Sequence, residues 1–205
     1  MTSFQELIYG LDLLGTFVFT ISGVTVALKK DFDLVGTVVM GIVTAIGGGT
    51  IRDIMIGKTP VGWLQDQNYL FVIAAAIAAA YIAQRAIMKL HRSFFLFDTI
   101  GIGLYTVLGI QKTLGQDLDP SVAVLMGVIS ACFGGVTRDV LANEIPLIFR
   151  KEIYAMACVC GGVTFLGLNH FYPKSEAAIL FSVLVVMAIR YLSVRKGWTL
   201  YVKPF

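Results

Sequence analysis

The chain has 205 residues, of which 57% are hydrophobic and 14% charged, with a mean hydropathy of +0.82. A soluble domain carries about 25% charged residues, so this balance excludes a disordered chain, a basic nucleic-acid binder and almost any soluble enzyme, and makes lipid the solvent for most of the surface. At ~20 residues per span the length suits about seven spans and leaves no room for a separate soluble domain, while a formal net charge of +3 is too small to imply a polyanionic partner.

Seven apolar segments follow in order. Residues 4–28 form the first, which ends at Lys29, Lys30 and Asp31. The second covers 34–57, the third 69–90 with its two alanine triplets, and the fourth 94–114. The fifth covers 122–142, the sixth 153–171 and the seventh 177–194. Apolar runs longer than about 18 residues favour membrane helices over buried strands, and barrel strands would show a period of two. The expected fold class is therefore an all-α membrane protein with seven transmembrane helices. Residues 1–6 carry no basic residue ahead of the first run, so the first segment is expected to stay as a span and not to be cleaved. Cys132, Cys158 and Cys160 are odd in number and lie inside apolar runs. They read as packing residues, without the His, Asp or Glu neighbours of a metal site.

Basic residues give the orientation. With Arg52 and Arg138 set aside as intramembrane, eleven fall on one side: Lys29, Lys30, Arg85, Lys89, Arg92, Arg150, Lys151, Arg190, Arg195, Lys196 and Lys203. Three fall on the other: Lys58, Lys112 and Lys174. The positive-inside rule then places the N-terminus outside and the C-terminus in the cytoplasm. An odd number of spans satisfies this alternation.

Shifting the chain by 86 residues without a gap aligns 12–60 with 98–146 and yields 16 identities in 49 positions. Asp12 meets Asp98, Gly23 meets Gly109, Asp33 meets Asp119, and Gly48, Gly49, Arg52 and Asp53 meet Gly134, Gly135, Arg138 and Asp139. Each unit holds three spans. An odd number reverses the second copy, so the expected organisation is an inverted 3 + 3 repeat followed by one extra helix. The extra helix is expected at 175–196.

The densest matches lie in spans two and five. Span two reads Gly47-Gly48-Gly49-Thr50-Ile51-Arg52-Asp53, and span five reads Gly134-Gly135-Val136-Thr137-Arg138-Asp139. Consecutive glycines weaken a helix by about 1 kcal/mol each relative to Ala. They let it kink and turn carbonyls out of the ladder, which membrane depth tolerates only inside protein or beside water. Matched broken helices in two inverted halves point to a permeation or binding site. The alternative is that the glycines only permit close helix packing. An intramembrane Arg costs at least ~2.5–3.5 kcal/mol on insertion scales, so Arg52 and Arg138 should not face lipid. The pseudo-twofold suggests cross-pairing, Arg52 with Asp139 and Arg138 with Asp53, either to lock the halves together or to line a pore. Asp12 is expected to be pore-facing or paired, and Asp98 to cap a helix start. Ser22, Thr25, Thr44 and Thr50 supply hydroxyls for a polar path. His91 and His170 fall at helix ends, Pro60 and Pro146 close the second helix of each unit, and Trp63 and Trp198 read as membrane-surface anchors. No P-loop, His-rich metal cluster or nucleophile elbow is present in the sequence, and no enzymatic activity is expected.

The paired Gly-Gly-x-x-x-Arg-Asp motif resembles the prokaryotic members of the trimeric intracellular cation (TRIC) channel family, which are also catalogued as bacterial "glycine transporter" domain proteins. The resemblance covers essentially the whole chain and implies two domain copies, at 6–80 and 92–166. It implies seven helices per subunit, with kinked second and fifth helices framing an hourglass pore. It also implies a homotrimer with one pore per subunit, conducting monovalent cations, chiefly K+, in an inner (plasma) membrane. The ion path would comprise Gly47, Gly48, Gly49, Thr50, Arg52 and Asp53 in span two, Gly134, Gly135, Val136, Arg138 and Asp139 in span five, and Asp12 and Ser22 in span one. Permeant K+ would meet the backbone of Gly48, Gly49, Gly134 and Gly135. No cofactor is implied beyond permeant K+ or Na+, and the partners implied are the other two subunits and membrane lipids. Animal members carry a Lys-Glu-Val motif tied to lipid and gating. That motif is absent here, so lipid regulation is not carried over. The transporter label keeps a second expectation, secondary transport of a small amino acid such as glycine.

Overall fold

A computed structural model describes residues 3–89, 93–150 and 153–199. Among the described residues eight α-helices carry the fold: α1 (Ser3–Lys29), α2 (Leu34–Met55), α3 (Asn68–Ile82), α4 (Gln84–Lys89), α5 (Ser93–Leu114), α6 (Pro120–Leu141), α7 (Ala155–Phe171) and α8 (Glu176–Lys196). Short 3-10 helices at Gly62–Leu64 and Leu147–Phe149 follow α2 and α6. Among the described residues, five helices (α1, α2, α5, α6 and α8) are long and apolar enough to cross a membrane. The apolar helices α3 and α7 have 15 and 17 residues. At 1.5 Å per residue they reach only about 22 and 25 Å, short of a ~30 Å hydrocarbon layer. The third apolar segment divides at Ala83 into α3 and the six-residue α4. His91, Arg92, Lys151 and Lys203 lie outside the described residues.

The two units repeat in detail because the same residues set the same local structure. Asp31 and Asp117 both take a left-handed backbone, with φ of 55° and 56°. Asp33 then caps α2 by accepting from the Gly36 amide at 2.7 Å, and Asp119 caps α6 by accepting from the Ser121 amide at 2.8 Å. Each cap satisfies an amide that the first helical turn leaves unpaired. At the far ends Gly57 and Asn143 reverse the chain with φ of 72° and 55°. These positions sit 86 residues apart, like the matched side chains above.

The core is built where α1 and α5 pack on each other and where α2 crosses α6. A Cβ added to Gly48 would lie 2.2 Å from the Ser130 carbonyl oxygen, and one added to Gly134 would lie 2.3 Å from that of Thr44. Ser130 is the counterpart of Thr44, so the two contacts exchange under the 86-residue shift. Reciprocal contacts of this kind define a twofold relation between the units.

This crossing gives the glycines of both helices a packing role. Both α2 and α6 are single α-helices that run through their glycines without interruption. The backbones approach too closely for any side chain at Gly48 or Gly134. Small residues that let helices touch are a known device of membrane packing.

Candidate functional site

The charged side chains lie along one line through the protein. On α5, Asp98, Tyr105 and Lys112 recur every seven residues, which places them on one face over about 21 Å. On α1, Asp12 and Phe19 hold the positions equivalent to Asp98 and Tyr105.

At one end of this line, Arg138 donates Nη1 to Asp98 Oδ1 at 2.8 Å and to Ser22 Oγ at 2.8 Å, and Nε to Asp139 Oδ1 at 2.8 Å. Phe94 lies against its guanidinium, with the centroid 4.5 Å away. Arg138 and Asp98 are both fully buried. Three buried polar atoms here, Asp98 Oδ2, Arg138 Nη2 and Tyr154 Oη, find no hydrogen-bond partner among the described residues. A cavity of about 390 Å³ opens beside Asp98, lined by Lys29, Phe94, Arg150, Arg190 and Arg195 among others.

At the other end, Arg52 donates Nε and Nη2 to Asp53 Oδ1 at 2.9 and 2.7 Å, and Nη1 to Ser130 Oγ at 2.8 Å. Asp12 does not pair with it. Its Oδ2 accepts from Tyr69 Oη at 2.5 Å and from Lys112 Nζ at 2.6 Å. A small chamber, about 20 Å³ to a water-sized sphere, is lined by Asp12, Thr16, Gly49, Arg52, Tyr69 and Tyr105 among others. Outside it lies a vestibule of about 260 Å³ that includes Tyr9, Lys58 and Asp66. Asp66 accepts from Tyr9 Oη at 2.5 Å. That bond, with the Asn68 amide, holds its carboxyl below the usual carboxylate range.

The expected cross-pairing of Arg52 with Asp139 and of Arg138 with Asp53 is overturned. Each arginine pairs with the aspartate next to it in sequence, and the hydrogen bonds that reach from these arginines to the other unit go to Ser130 and Ser22. The second oxygen of each aspartate is already used: Asp53 Oδ2 accepts from the Gly62 amide at 2.9 Å, and Asp139 Oδ2 accepts from the Leu147 amide at 3.1 Å. Each motif aspartate thus ties its arginine to the 3-10 helix that follows. The expected cap role of Asp98 is also overturned. It lies on the sixth residue of α5, fully buried, as a partner of Arg138.

The other residues singled out in the sequence divide. Gly49 lines the small chamber, and Gly135 sits beside Tyr154 Oη and Arg138 Nη2. Gly47 faces the Gly134 backbone. Thr50 Oγ1 donates to the Ile46 carbonyl and accepts from Trp63 Nε1 at 3.1 Å. Thr25 and Thr44 donate to backbone carbonyls four residues back. Val136 is half-buried on α6. Reading by residue type missed Lys112, Tyr69, Tyr105 and Arg190. Arg190 was counted with the cytoplasmic charges, yet it is 1% exposed, with Tyr154 and Phe95 centroids 4.8 and 5.4 Å from its guanidinium. Lys112 was counted as a loop charge. The heptad spacing from Asp98 through Tyr105 was the signal that could have placed it on this line.

A family model described as "Glycine transporter" matches the chain twice, at residues 9–85 and 95–170. A "UPF0126 membrane protein" of Vibrio cholerae is 40% identical over 98% of this chain and 83% of that protein. The "UPF0126 inner membrane protein YadS" of Escherichia coli is 38% identical over 97% of this chain and 96% of that one. Among solved structures, the TRIC trimeric intracellular cation channel orthologue from Rhodobacter sphaeroides superimposes with a TM-score of 0.88 at 33% identity, covering 94% of this chain and 99% of the other. The chain belongs to the TRIC family. A second structure, described under "Structural basis for conductance through TRIC cation channels", aligns with a TM-score of 0.84 at 32% identity over 95% of this chain and 96% of that one. This TRIC-family protein is accordingly an integral membrane protein.

Proposed function

We propose that this TRIC-family protein is a homotrimeric, potassium-permeable cation channel with one pore per subunit. The observation that carries this reading is the whole-chain likeness to TRIC cation channels, at TM-scores of 0.84–0.88 and 28–33% identity. The two ends of the charged line support it. Each holds a buried carboxylate, Asp12 or Asp98, beside a cavity. Intramembrane ionisable residues facing the protein interior mark ion pathways. Lys29, Arg150, Arg190 and Arg195 oppose cation entry at one mouth, which leaves Asp12 and Asp98 as the groups that attract cations at the two ends.

In this reading the path runs between α1, α2, α5 and α6. It passes the Phe19–Tyr105 pair and the glycines at 47–49 and 134–135, where bending of α2 and α6 would widen it. Thr50, Ser22 and Val136 flank it, with Arg52, Asp53, Arg138 and Asp139 setting its field. The chain forms two inverted three-helix units, 6–80 and 92–166, and a last helix at 175–196. α3 with α4 acts as one span, so seven segments cross a bacterial or archaeal inner membrane, with the N-terminus outside and the C-terminus in the cytoplasm. Permeant K+ or Na+ is cargo, and neither a resident cofactor nor an enzymatic step belongs to this reading.

The family model's description favours a second reading, a secondary transporter of glycine or a similar amino acid. The chamber behind Asp12 has room for about one water-sized sphere, which suits a dehydrated ion better than an amino acid. Planar-bilayer recording of the purified protein separates the two. A channel gives discrete unitary currents that reverse near the K+ equilibrium potential, whereas a transporter gives saturable uptake and exchange. Cross-linking in mild detergent tests assembly and should end at three subunits.

A further inference from the structure

The two units are unlike at one matched position. Asp98 is held by Arg138, a fully buried guanidinium that also bonds Asp139 and Ser22. Its counterpart Asp12 is held by Lys112, whose side chain is 22% exposed. The position equivalent to Lys112 in the first unit is Val26, so the fold of a unit does not require a lysine there. Arg52 satisfies itself on Asp53 and Ser130 and leaves Asp12 to the lysine.

The surroundings of Asp12 suit a small cation. Tyr69 Oη donates to the carboxylate and keeps its own lone pairs. Thr16 Oγ1 donates to the Asp12 carbonyl at 2.9 Å and lies 2.8 Å from Tyr105 Oη. The Asp12 carboxylate and the Tyr69 phenol therefore meet at the neck between the vestibule and the inner chamber, where Asp12, Gly62, Tyr69 and Lys112 line both spaces, while the Thr16 and Tyr105 hydroxyls line the chamber behind it. An ammonium is a compact point charge on a flexible stem, and its size and charge are close to those of K+.

We propose that Asp12 and Tyr69 form a monovalent-cation site at this neck, and that the Lys112 ammonium occupies it as a tethered ion which a permeant cation displaces. This rests on the channel reading for its physiological meaning. Displacement moves the lysine toward the vestibule, which its partial exposure permits. The site offers one carboxylate and neutral oxygens, so it takes an alkali cation and not a strongly hydrated divalent ion.

The test uses the purified full chain in detergent and does not measure conduction. In Lys112→Met the carboxylate lacks its partner, so the melting temperature should rise by roughly 2–4 °C in KCl relative to choline chloride at equal ionic strength. Asp12→Asn combined with Lys112→Met should lose that rise. Equal melting temperatures of Lys112→Met in the two salts, or a rise that persists in the double variant, overturns the site. If Lys112→Met does not fold, the unaltered protein is labelled with an amine-reactive reagent and Lys112 followed by mass spectrometry. KCl should accelerate its modification relative to choline chloride, and equal rates overturn the proposal. A K+-specific effect in a protein that gives no unitary currents leaves the site standing and removes the channel reading.

Discussion

Phe19 and Tyr105 stack with ring centroids 5.2 Å apart and planes inclined by 5°. They occupy the same position in the two units, 86 residues apart. A residue that touches its own symmetry mate lies on the twofold axis, so this pair marks the centre of the protein. Gly101 leaves room for it: a Cβ there would lie 2.2 Å from the Phe19 ring. The tyrosine adds a hydroxyl shared with Thr16, so the centre is polar on the Asp12 side.

Truncating this centre should be costly. Phe19 is 1% exposed, and Phe19→Ala should destabilise the protein by about 3–5 kcal/mol. Tyr105→Phe keeps the stack and removes one hydrogen bond, a loss of about 0.5–1.5 kcal/mol. Urea titration followed by tryptophan fluorescence in detergent ranks the two. Equal losses would show that the ring stack is not what holds the centre.

The arginine pairs can be separated by a double-mutant cycle. Arg52→Gln and Asp53→Asn should each cost about 3–5 kcal/mol, because each leaves a buried charge without its partner. Together they should cost less than their sum. Arg52→Gln with Asp139→Asn should simply add. Coupling in the second cycle and not in the first would restore the cross-paired arrangement.

Gly134→Ala places a methyl group 2.3 Å from the Thr44 carbonyl oxygen. Both atoms belong to packed backbone, so α2 and α6 must separate, at about 1–3 kcal/mol. Gly48→Ala should behave alike, since its contact is the reciprocal one. Gly167→Ala is the control, with no atom of the described residues within 4 Å of the added one, and should leave the melting temperature unchanged or raise it.

Acid should loosen the vestibule. The carboxyl of Asp66 is held below its ordinary value of 3.8, first by the Tyr9 hydroxyl. A depressed carboxyl contributes stability that is complete above its unfolded value and is lost as pH falls through its folded one. The melting-temperature gap between the unaltered protein and Tyr9→Phe should therefore be constant above about pH 5 and close as pH falls below about 4. A gap independent of pH would mean that the contribution of Tyr9 is packing alone.

Membrane class, most span positions and the repeat were legible in the sequence, because hydropathy and a gap-free 86-residue register are properties of the chain taken one segment at a time. The Asp33 and Asp119 caps belong to the same kind of information, since a cap acts within its own first turn. The site was legible in residue type and not in pairing. Arg52 and Asp53 were visible as buried charges, but whether an arginine meets its neighbour or its symmetry mate depends on where α2 crosses α6. Gly48 and Gly134 set that crossing by touching the opposite backbone, a contact that only packing discloses. A glycine run reads alike whether it breaks a helix or lets two helices meet. The division of the two carboxylates, Asp98 to Arg138 and Asp12 to Lys112, was decided by tertiary structure alone. It depends on a lysine about four turns beyond Asp98 on α5 reaching α1 across the axis, and neither spacing nor composition within α1 records that approach.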